Sequence, residues 1–170
     1  MSMITTTAVI TGTALIAAFG VGQISGPSIK TEIEIEAPAS AVWAELANTE
    51  AYGDWNPFVR RISGDLEAGN QLEVTVGADG STQMDFAPEV LVADKDAELR
   101  WVGRLGFQGI FDGEHYFILE ETDRGTTIFR HGETFTGLLG YPLLALIREE
   151  TRNGFLAMNE ALKIRVESNG

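Results

Sequence analysis

Residues 109–136 read GIFDGEHYFILEETDRGTTIFRHGETFT, and this stretch decides the fold. Apolar and polar side chains alternate on both sides of Asp123-Arg124-Gly125, three residues that tolerate a tight reversal of the chain. The pattern predicts two antiparallel strands, Gly109 to Glu121 and Thr126 to Thr136, joined by a three-residue turn.

Counting back along the two strands from this turn gives their register. It places His115 opposite Glu133 and close enough for a hydrogen bond across the ladder. The same register places Phe117 opposite His131. Each histidine then shares its face of the sheet with large apolar side chains and not with the charged face.

The segments before this hairpin have a similar strand-like pattern. Ile29 to Ile35 alternates Ile and Thr with Lys and Glu, which predicts a first strand with one buried face. Turn residues separate the later runs. These runs span Val59 to Leu66, Asn70 to Ala78, Thr82 to Ala93 and Glu98 to Leu105.

Helical segments lie after the first strand and at the end of the chain. Pro38 precedes a short helix over Ala39 to Asn48, and a second short helix in Ala51 to Phe58 is closed by its proline. Leu138 to Val166 has helical spacing of apolar residues and predicts one long amphipathic helix. Because the strands follow one another in a run, the sheet should be antiparallel and the fold class α+β.

The amino-terminal stretch has a different character. Met1 to Ile29 contains no charged side chain, and Ile4 to Ile24 has about the length that crosses a bilayer as a helix. We therefore expect residues 1–28 to form a hydrophobic segment and linker, and residues 29–167 to form the folded domain. An anchor or export signal, placing the protein at a membrane or outside the cytoplasm, is favoured over a disordered or packing extension.

Net charge and cysteine content exclude several classes of function. The 170 residues include 12 Lys and Arg and 25 Asp and Glu, a net charge of −13 that disfavours nucleic acids and anionic lipid headgroups. With no cysteine, the chain has no disulfide, thiolate nucleophile or Cys-ligated metal. It also lacks the phosphate-binding, dinucleotide-binding, zinc-protease and nucleophile-elbow motifs, so we predict no cofactor.

His115, His131 and Glu133 are the candidates for chemistry. An imidazole and a carboxyl group on an apolar wall can act as general acid and base, because burial and mutual charge stabilisation shift their pKa values. The alternative is that the pair satisfies itself or positions a ligand. The three side chains also have the chemistry of zinc ligands, but cross-strand geometry does not bring them to one point, so no metal site is predicted.

The order of elements and several short motifs resemble the START-like SRPBCC superfamily, specifically its polyketide cyclase/dehydrase-like branch. The motifs are AP at 37–38, WNPF at 55–58, GEH at 113–115, GTT at 125–127, FTG at 135–137, NGF at 153–155 and MN at 158–159. The resemblance covers Lys30 to Glu167. It implies a helix-grip fold, in which a seven-stranded antiparallel sheet wraps around the long C-terminal helix and leaves a cavity between them. Members of the superfamily bind, carry or transform very different ligands, so the resemblance implies a cavity and no single reaction.

Aromatic and polar residues on the inward faces are candidates for the lining of this cavity, although such aromatic residues often belong to the core. Gly154, in the middle of a helix, indicates close backbone approach or a bend over the cavity. The candidate ligand-binding residues are Trp55, Asn56, Trp101, His115, Phe117, Phe129, His131, Glu133 and Phe155.

Three functions follow from these observations. The first is binding or carriage of a small hydrophobic or aromatic molecule, such as a lipid or polyketide-like compound. The second is a cofactor-independent cyclase, dehydratase or hydrolase that uses His115, His131 and Glu133 to move protons. The third is a helper domain that binds a protein partner. It would need an exposed apolar patch, which the acidic composition does not indicate.

Overall fold

The computed structural model describes residues 26–77 and 82–169, and within these ranges it contains eight strands and three α-helices. A 3-10 turn, Thr49–Ala51, precedes the second helix. In chain order the elements are β1 Ser28–Ile35, α1 Ala39–Ala47, α2 Tyr52–Trp55, β2 Val59–Ser63, β3 Glu73–Val76, β4 Met84–Phe86, β5 Glu89–Asp94, β6 Glu98–Leu105, β7 Phe111–Glu121, β8 Thr127–Thr136 and α3 Gly140–Ser168.

The strands form two antiparallel sheets that curve around α3. One sheet has the order β1-β8-β7-β6-β5, and the other has the order β2-β3-β4. They meet at an isolated bridge between Gln71 and Glu89, beside a hydrogen bond from Val90 N to Asn70 O of 2.8 Å. The predicted α+β class, antiparallel sheet and helix-grip arrangement are confirmed.

The number of strands differs from the prediction of seven. The run predicted as one strand from Thr82 to Ala93 is two strands, β4 and β5, which belong to different sheets. Pro88 lies between them and has no N–H to donate to a neighbouring strand. Its carbonyl oxygen accepts a hydrogen bond from Leu72 N at 2.8 Å. The proline therefore redirects the chain from one sheet to the other.

The β7–β8 hairpin has the predicted register. Thr122 N donates to Thr126 O at 2.8 Å, and Gly125 adopts a positive φ of 76° that suits glycine. His115 consequently lies opposite Glu133, and Phe117 lies opposite His131.

The long helix α3 packs its apolar stripe against β1 and β8. The buried members of the predicted stripe are Leu144, Phe155, Met158, Leu162 and Val166. Gly154 permits the close approach that its position predicted, because a Cβ atom there would lie 2.2 Å from Cδ2 of Phe58. The backbone of α3 at Gly154 is thus in direct contact with the ring of Phe58, which lines the cavity described below.

One part of the surface is apolar, contrary to the expectation from composition. Seven of the ten large apolar side chains exposed in the described ranges lie in two segments, the end of β6 with the β6–β7 loop and the beginning of α3 with the loop before it. We call this surface the apolar rim. It consists of Leu105, Phe107, Ile110, Leu138, Leu139, Tyr141 and Leu146.

The hydrophobic stretch Ile4 to Ile24 lies outside the described residues. Among the helices of residues 26–77 and 82–169, none combines the length and the apolar character that crossing a membrane requires.

Candidate functional site

A cavity of about 360 Å³ lies between the curved sheets and α3. Strands β2 to β4 form one wall, β6 to β8 form a second, and the segment Ile147 to Thr151 of α3 closes a third. Most of the lining is apolar. Its main apolar side chains are Phe58, Val74, Val76, Met84, Phe86, Phe111 and Phe135.

His115 and Glu133 form a polar patch on the β7–β8 wall of this cavity. Nδ1 of His115 lies 3.7 Å from Oε2 of Glu133, which is too long for a direct hydrogen bond. The predicted pairing is therefore correct in register, but the two groups face each other across a gap. Both line the cavity, so a ligand placed there meets an imidazole nitrogen and a carboxyl group together.

Gly113 makes room for the carboxyl group of Glu133. A Cβ atom at Gly113 would lie only 2.2 Å from Oε1 of Glu133. A side chain at this position of β7 would displace the carboxyl group, so the glycine sets its placement on the cavity wall.

The imidazole of His115 is held flat against Trp101. Their ring centroids are 4.9 Å apart and their planes differ by 8°, while Phe117 and Phe155 contact the ring edge-on. The residue as a whole is 5% exposed. These contacts fix its orientation and leave it little room to move.

A second buried imidazole lies directly behind the first. Nε2 of His131 is 3.0 Å from Nε2 of His115, and Nδ1 of His131 is 2.8 Å from Oδ1 of Asn159. Asn159 Nδ2 donates to Thr31 Oγ1 at 3.0 Å, and Thr31 Oγ1 donates to His131 O at 3.0 Å. The four side chains form one continuous buried network.

Donor and acceptor chemistry assigns the protons in this network. Asn159 uses its amide nitrogen on Thr31, so its oxygen must accept from Nδ1–H of His131. A neutral His131 then has a lone pair on Nε2, which accepts from Nε2–H of His115. The remaining nitrogen of a neutral His115, Nδ1, is left with a lone pair that faces Glu133.

Burial makes all three titratable groups neutral near pH 7. It lowers the pKa of His115 to about 3 and raises the pKa of Glu133 to about 8. Burial also lowers the pKa of His131 well below its usual range, and the neighbouring His115 lowers it further. The sequence hypothesis of mutual charge stabilisation is therefore replaced by a neutral pair, a protonated carboxyl group beside a neutral imidazole.

No group of three or more His, Cys, Asp or Glu side chains in residues 26–77 and 82–169 is arranged to hold a metal ion. The zinc alternative for His115, His131 and Glu133 fails on geometry, because Nε2 of each histidine points at the other histidine and Nδ1 of His131 is bonded to Asn159.

Of the nine candidate ligand-binding residues, Trp101, His115 and Glu133 line the cavity. Phe117 and Phe129 are fully buried core residues, and His131 lies behind His115. Phe155 packs between His131, at 3.9 Å between ring centroids, and Phe58. For the residues behind the wall, any effect on a ligand is indirect.

Trp55 and Asn56 lie elsewhere. Oδ1 of Asn56 accepts hydrogen bonds from the backbone N–H of Phe58 and Val59, at 3.0 and 2.8 Å, which is the turn role that its position before a proline predicts. Trp55 contacts Tyr52 with the two rings tilted by 55°, and it borders a separate depression at the C-terminal end of α3.

Sequence reasoning missed two members of the network and much of the apolar lining. Asn159 is a polar residue inside the apolar stripe of α3, and Thr31 occupies an inward position of β1. A polar side chain at a position that the pattern buries must find a hydrogen-bond partner, and this requirement could have identified both residues. Phe111 and Phe135 share the inward faces of β7 and β8 with His115 and Glu133, and that alternation indicates their position.

Comparison with known proteins gave a family and a set of similar structures. The model of the family described as "Polyketide cyclase / dehydrase and lipid transport" matches residues 27–167. No curated protein matched the chain by sequence.

Several solved structures share the fold at low sequence identity. A hypothetical protein of Helicobacter pylori has a TM-score of 0.66 at 17% identity, and the alignment covers 97% of this chain and 99% of that one. A START superfamily protein of Mycobacterium smegmatis has a TM-score of 0.62 at 18% identity, covering 84% and 99%. Norcoclaurine synthase of Thalictrum, a point mutant with a transition-state analogue, has a TM-score of 0.63 at 16% identity, covering 86% and 99%.

Proposed function

The chain belongs to the polyketide cyclase/dehydrase and lipid transport family, and from this premise we propose that it binds a small, neutral and largely apolar molecule in the cavity between sheet and α3. The observation that carries the proposal is the mainly apolar cavity of about 360 Å³, whose inner wall carries the neutral pair His115 and Glu133. The two charged side chains that also line it, Arg104 and Glu150, are exposed to solvent. Its volume lies at the lower end of the range for small-molecule pockets, roughly 300–1,000 Å³.

The polar patch indicates which functional group the ligand carries. A protonated Glu133 donates a hydrogen bond, and the lone pair on Nδ1 of His115 accepts one. A carbonyl oxygen fits the donor, and a hydroxyl group on a neighbouring carbon fits the acceptor. A hydroxyketone or phenolic ketone within an apolar skeleton satisfies both, whereas an ionised ligand loses hydration that the neutral pair does not replace.

Gly103 offers a direct test, because it lines the cavity and a Cβ atom there meets nothing within 4 Å. Gly103→Leu should fill the cavity and reduce the affinity for a neutral hydrophobic fluorophore such as N-phenyl-1-naphthylamine at least tenfold, with the melting temperature retained. Gly103→Ala is the matched control and should retain binding. Equal binding by wild type and Gly103→Leu would contradict the proposed cavity.

The ligand itself is best identified by mass spectrometry of the native protein. A co-purifying neutral molecule that is released on denaturation and is absent from Gly103→Leu supports the proposal. A co-purifying molecule that is retained by this variant would place the binding site elsewhere.

Proton transfer on the bound molecule is a second candidate, favoured by the pKa of Glu133, which burial raises to about 8. A carboxyl group that is protonated near neutral pH and faces a cavity is suited to act as a general acid. His115 is poorly suited as the base, since burial lowers its pKa to about 3. In this function Glu133 protonates a ligand oxygen, and His115 positions the ligand.

Glu133→Gln separates the two candidates, because glutamine retains a hydrogen-bond donor and loses the transferable proton. Binding alone predicts similar affinity in wild type and variant, with the bound molecule recovered unchanged from both. Proton transfer predicts product in the wild type and a loss of turnover in the variant of roughly 10²- to 10⁴-fold.

A further inference from the structure

The buried network behind the cavity wall begins at a backbone carbonyl group, which can only accept a hydrogen bond. Thr31 Oγ1 donates to His131 O at 3.0 Å, so the single hydroxyl proton of Thr31 is already used. Oγ1 can then only accept from Asn159, whose amide nitrogen Nδ2 lies 3.0 Å away. The backbone oxygen of His131 therefore determines the direction of the first two hydrogen bonds.

Each later hydrogen bond takes its direction from the one before it. Asn159 presents its amide oxygen to Nδ1 of His131 at 2.8 Å, and this oxygen requires a proton on Nδ1. Nε2 of His131 is then an acceptor and lies 3.0 Å from Nε2 of His115, so His115 carries its proton there. Four hydrogen bonds of fixed direction thus lead from β1 to the cavity wall, where Nδ1 of His115 is an acceptor.

The same side chains also fit a reversed arrangement. If the amide of Asn159 turns over, Nδ2 donates to Nδ1 of His131, and Nε2 of His131 donates to Nε2 of His115. Both imidazoles stay neutral, and the proton of His115 moves to Nδ1. Thr31 must then donate to Asn159, and its hydrogen bond to His131 O is lost. A net hydrogen bond of this kind is equivalent to roughly a two- to tenfold change in an equilibrium constant, so Thr31 selects the observed arrangement.

The two arrangements present different groups to a ligand. Near pH 7 the carboxyl group of Glu133 is protonated, because burial raises its pKa to about 8, and it lies 3.7 Å from Nδ1 of His115. In the observed arrangement the wall therefore offers one donor and one acceptor, which match a carbonyl group beside a hydroxyl group. In the reversed arrangement it offers two donors, which match two carbonyl groups.

We propose that Thr31 determines the ligand specificity of the cavity: through Asn159 and His131 it sets the tautomer of His115 and makes the site prefer a hydroxyketone to the corresponding diketone. Thr31 is buried and does not line the cavity, so it is a positioning residue. This inference rests on the proposed binding function and adds the ligand class that the site selects.

Thr31→Val tests the inference, because it keeps the branched shape of the side chain and removes the hydroxyl group. Without Oγ1, the observed arrangement leaves Nδ2 of Asn159 with no acceptor. The reversed arrangement uses Nδ2 on His131 and leaves only the amide oxygen unpaired, and buried oxygens are left unpaired more often than buried N–H groups. Thr31→Ser retains the hydroxyl group and is the matched control. Thr31→Ala removes the same hydroxyl group with a smaller side chain and should behave like Thr31→Val.

The first readout needs no ligand. Long-range ¹H–¹⁵N NMR of the full-length protein at pH 7 should place the proton of His115 on Nε2 in wild type and Thr31→Ser, and on Nδ1 in Thr31→Val. A proton that stays on Nε2 in Thr31→Val would overturn the inference. The tautomer would then be held by another group, such as the backbone of Phe155, which also interacts with the ring of His131.

The second readout compares benzoin and benzil, two neutral molecules with the same carbon skeleton. Benzoin has a carbonyl group beside a hydroxyl group, and benzil has two adjacent carbonyl groups. Equilibrium dialysis should show that wild type and Thr31→Ser prefer benzoin, and that the ratio of the two affinities falls roughly tenfold in Thr31→Val. A purely structural role of Thr31 would weaken both molecules alike. An unchanged ratio would therefore overturn the inference.

The combined results separate this inference from the proposed function. If wild type binds benzoin and the ratio is unchanged in Thr31→Val, the inference fails and the proposed function stands. If wild type binds neither benzoin nor benzil, the proposed ligand class is contradicted and the inference fails with it.

Discussion

His115 and His131 lie with their Nε2 atoms 3.0 Å apart, yet their other nitrogens have different surroundings. Nδ1 of His131 is 2.8 Å from Oδ1 of Asn159, inside the protein. Nδ1 of His115 faces Glu133 across 3.7 Å at the cavity wall. The inner imidazole is satisfied entirely by protein atoms, and the outer one has a nitrogen available to a ligand.

This difference separates a structural role from a binding role within one network. Buried polar groups are costly unless they are hydrogen-bonded, and the inner part of the network meets that requirement. By doing so it fixes the tautomer of His115 and directs a lone pair to the cavity wall. Substitutions in the inner region should therefore act mainly on stability, and those at the wall mainly on the ligand.

The largest expected effect is at Phe155, whose ring stacks on His131 and is fully buried. Phe155→Ala should lower the free energy of unfolding by about 3–5 kcal/mol, because it leaves a void in the packed inner region. Phe111→Ala is the matched control. Its ring is half-buried and borders open cavity, so the loss should be smaller. Urea denaturation measures the free energy of unfolding of both variants. Equal losses would contradict the proposed difference between the packed inner region and the cavity wall.

Asn159→Leu should have the next largest effect. It removes the acceptor for Nδ1–H of His131 and leaves a buried donor unsatisfied, at a cost of about 1–3 kcal/mol. Met158→Leu, a change of similar volume at the neighbouring buried position, should cost less than about 1.5 kcal/mol. If Asn159→Leu is as stable as the wild type, the inner network does not support the fold.

Glu133 should affect stability through a dependence on pH, which separates its contribution from the losses caused by packing and hydrogen bonding. Burial raises its pKa from the ordinary value of 4.5 to about 8, so the folded state holds a proton that the unfolded state releases. Its contribution is fully present below pH 4.5 and is lost as the pH rises through about 8. We expect the stability of wild type relative to Glu133→Gln to fall steadily between pH 5 and pH 8, by up to about 1.4 kcal/mol per pH unit for the one proton released, and to level off above pH 8.

The histidines act in the opposite direction at lower pH, which makes Glu133→Gln the necessary reference. Burial lowers the pKa of His115 to about 3 from 6.5, so its contribution is present above pH 6.5 and is lost as the pH falls toward 3. The difference between wild type and Glu133→Gln removes this shared component. A difference that does not vary with pH would show that Glu133 titrates normally.

Local pattern predicted the parts of the fold that depend on local chemistry. The alternation in β7 and β8, together with the turn at Asp123-Arg124-Gly125, determined which residues face each other, and the structure has that register. Local pattern does not predict the division at Pro88, because the run from Thr82 to Ala93 reads as one continuous strand. Which sheet each half joins depends on its distant partners, β3 and β6.

The site was only partly predictable for the same reason. His115 and Glu133 were found because a two-strand register relates them. The contact of His131 with Asn159 joins residues 28 positions apart on a strand and a helix, and no local period specifies how the helix is rotated against the sheet. His115 and Glu133 are neutral because elements remote in sequence bury them. Local pattern therefore does not predict that the pKa of His115 is lowered and that of Glu133 is raised.

The most direct test of the account is the protonation of the two imidazoles. The chain has two histidines, and four ring nitrogens give four signals in a long-range ¹H–¹⁵N NMR spectrum. A His115→Gln variant assigns them. At pH 7 we predict two neutral rings, with the proton on Nδ1 in His131 and on Nε2 in His115, and no titration of either between pH 6 and pH 8. An imidazolium at either position near pH 7, or the proton of His115 on Nδ1, would contradict the neutral acceptor on which the proposed binding of a neutral ligand depends.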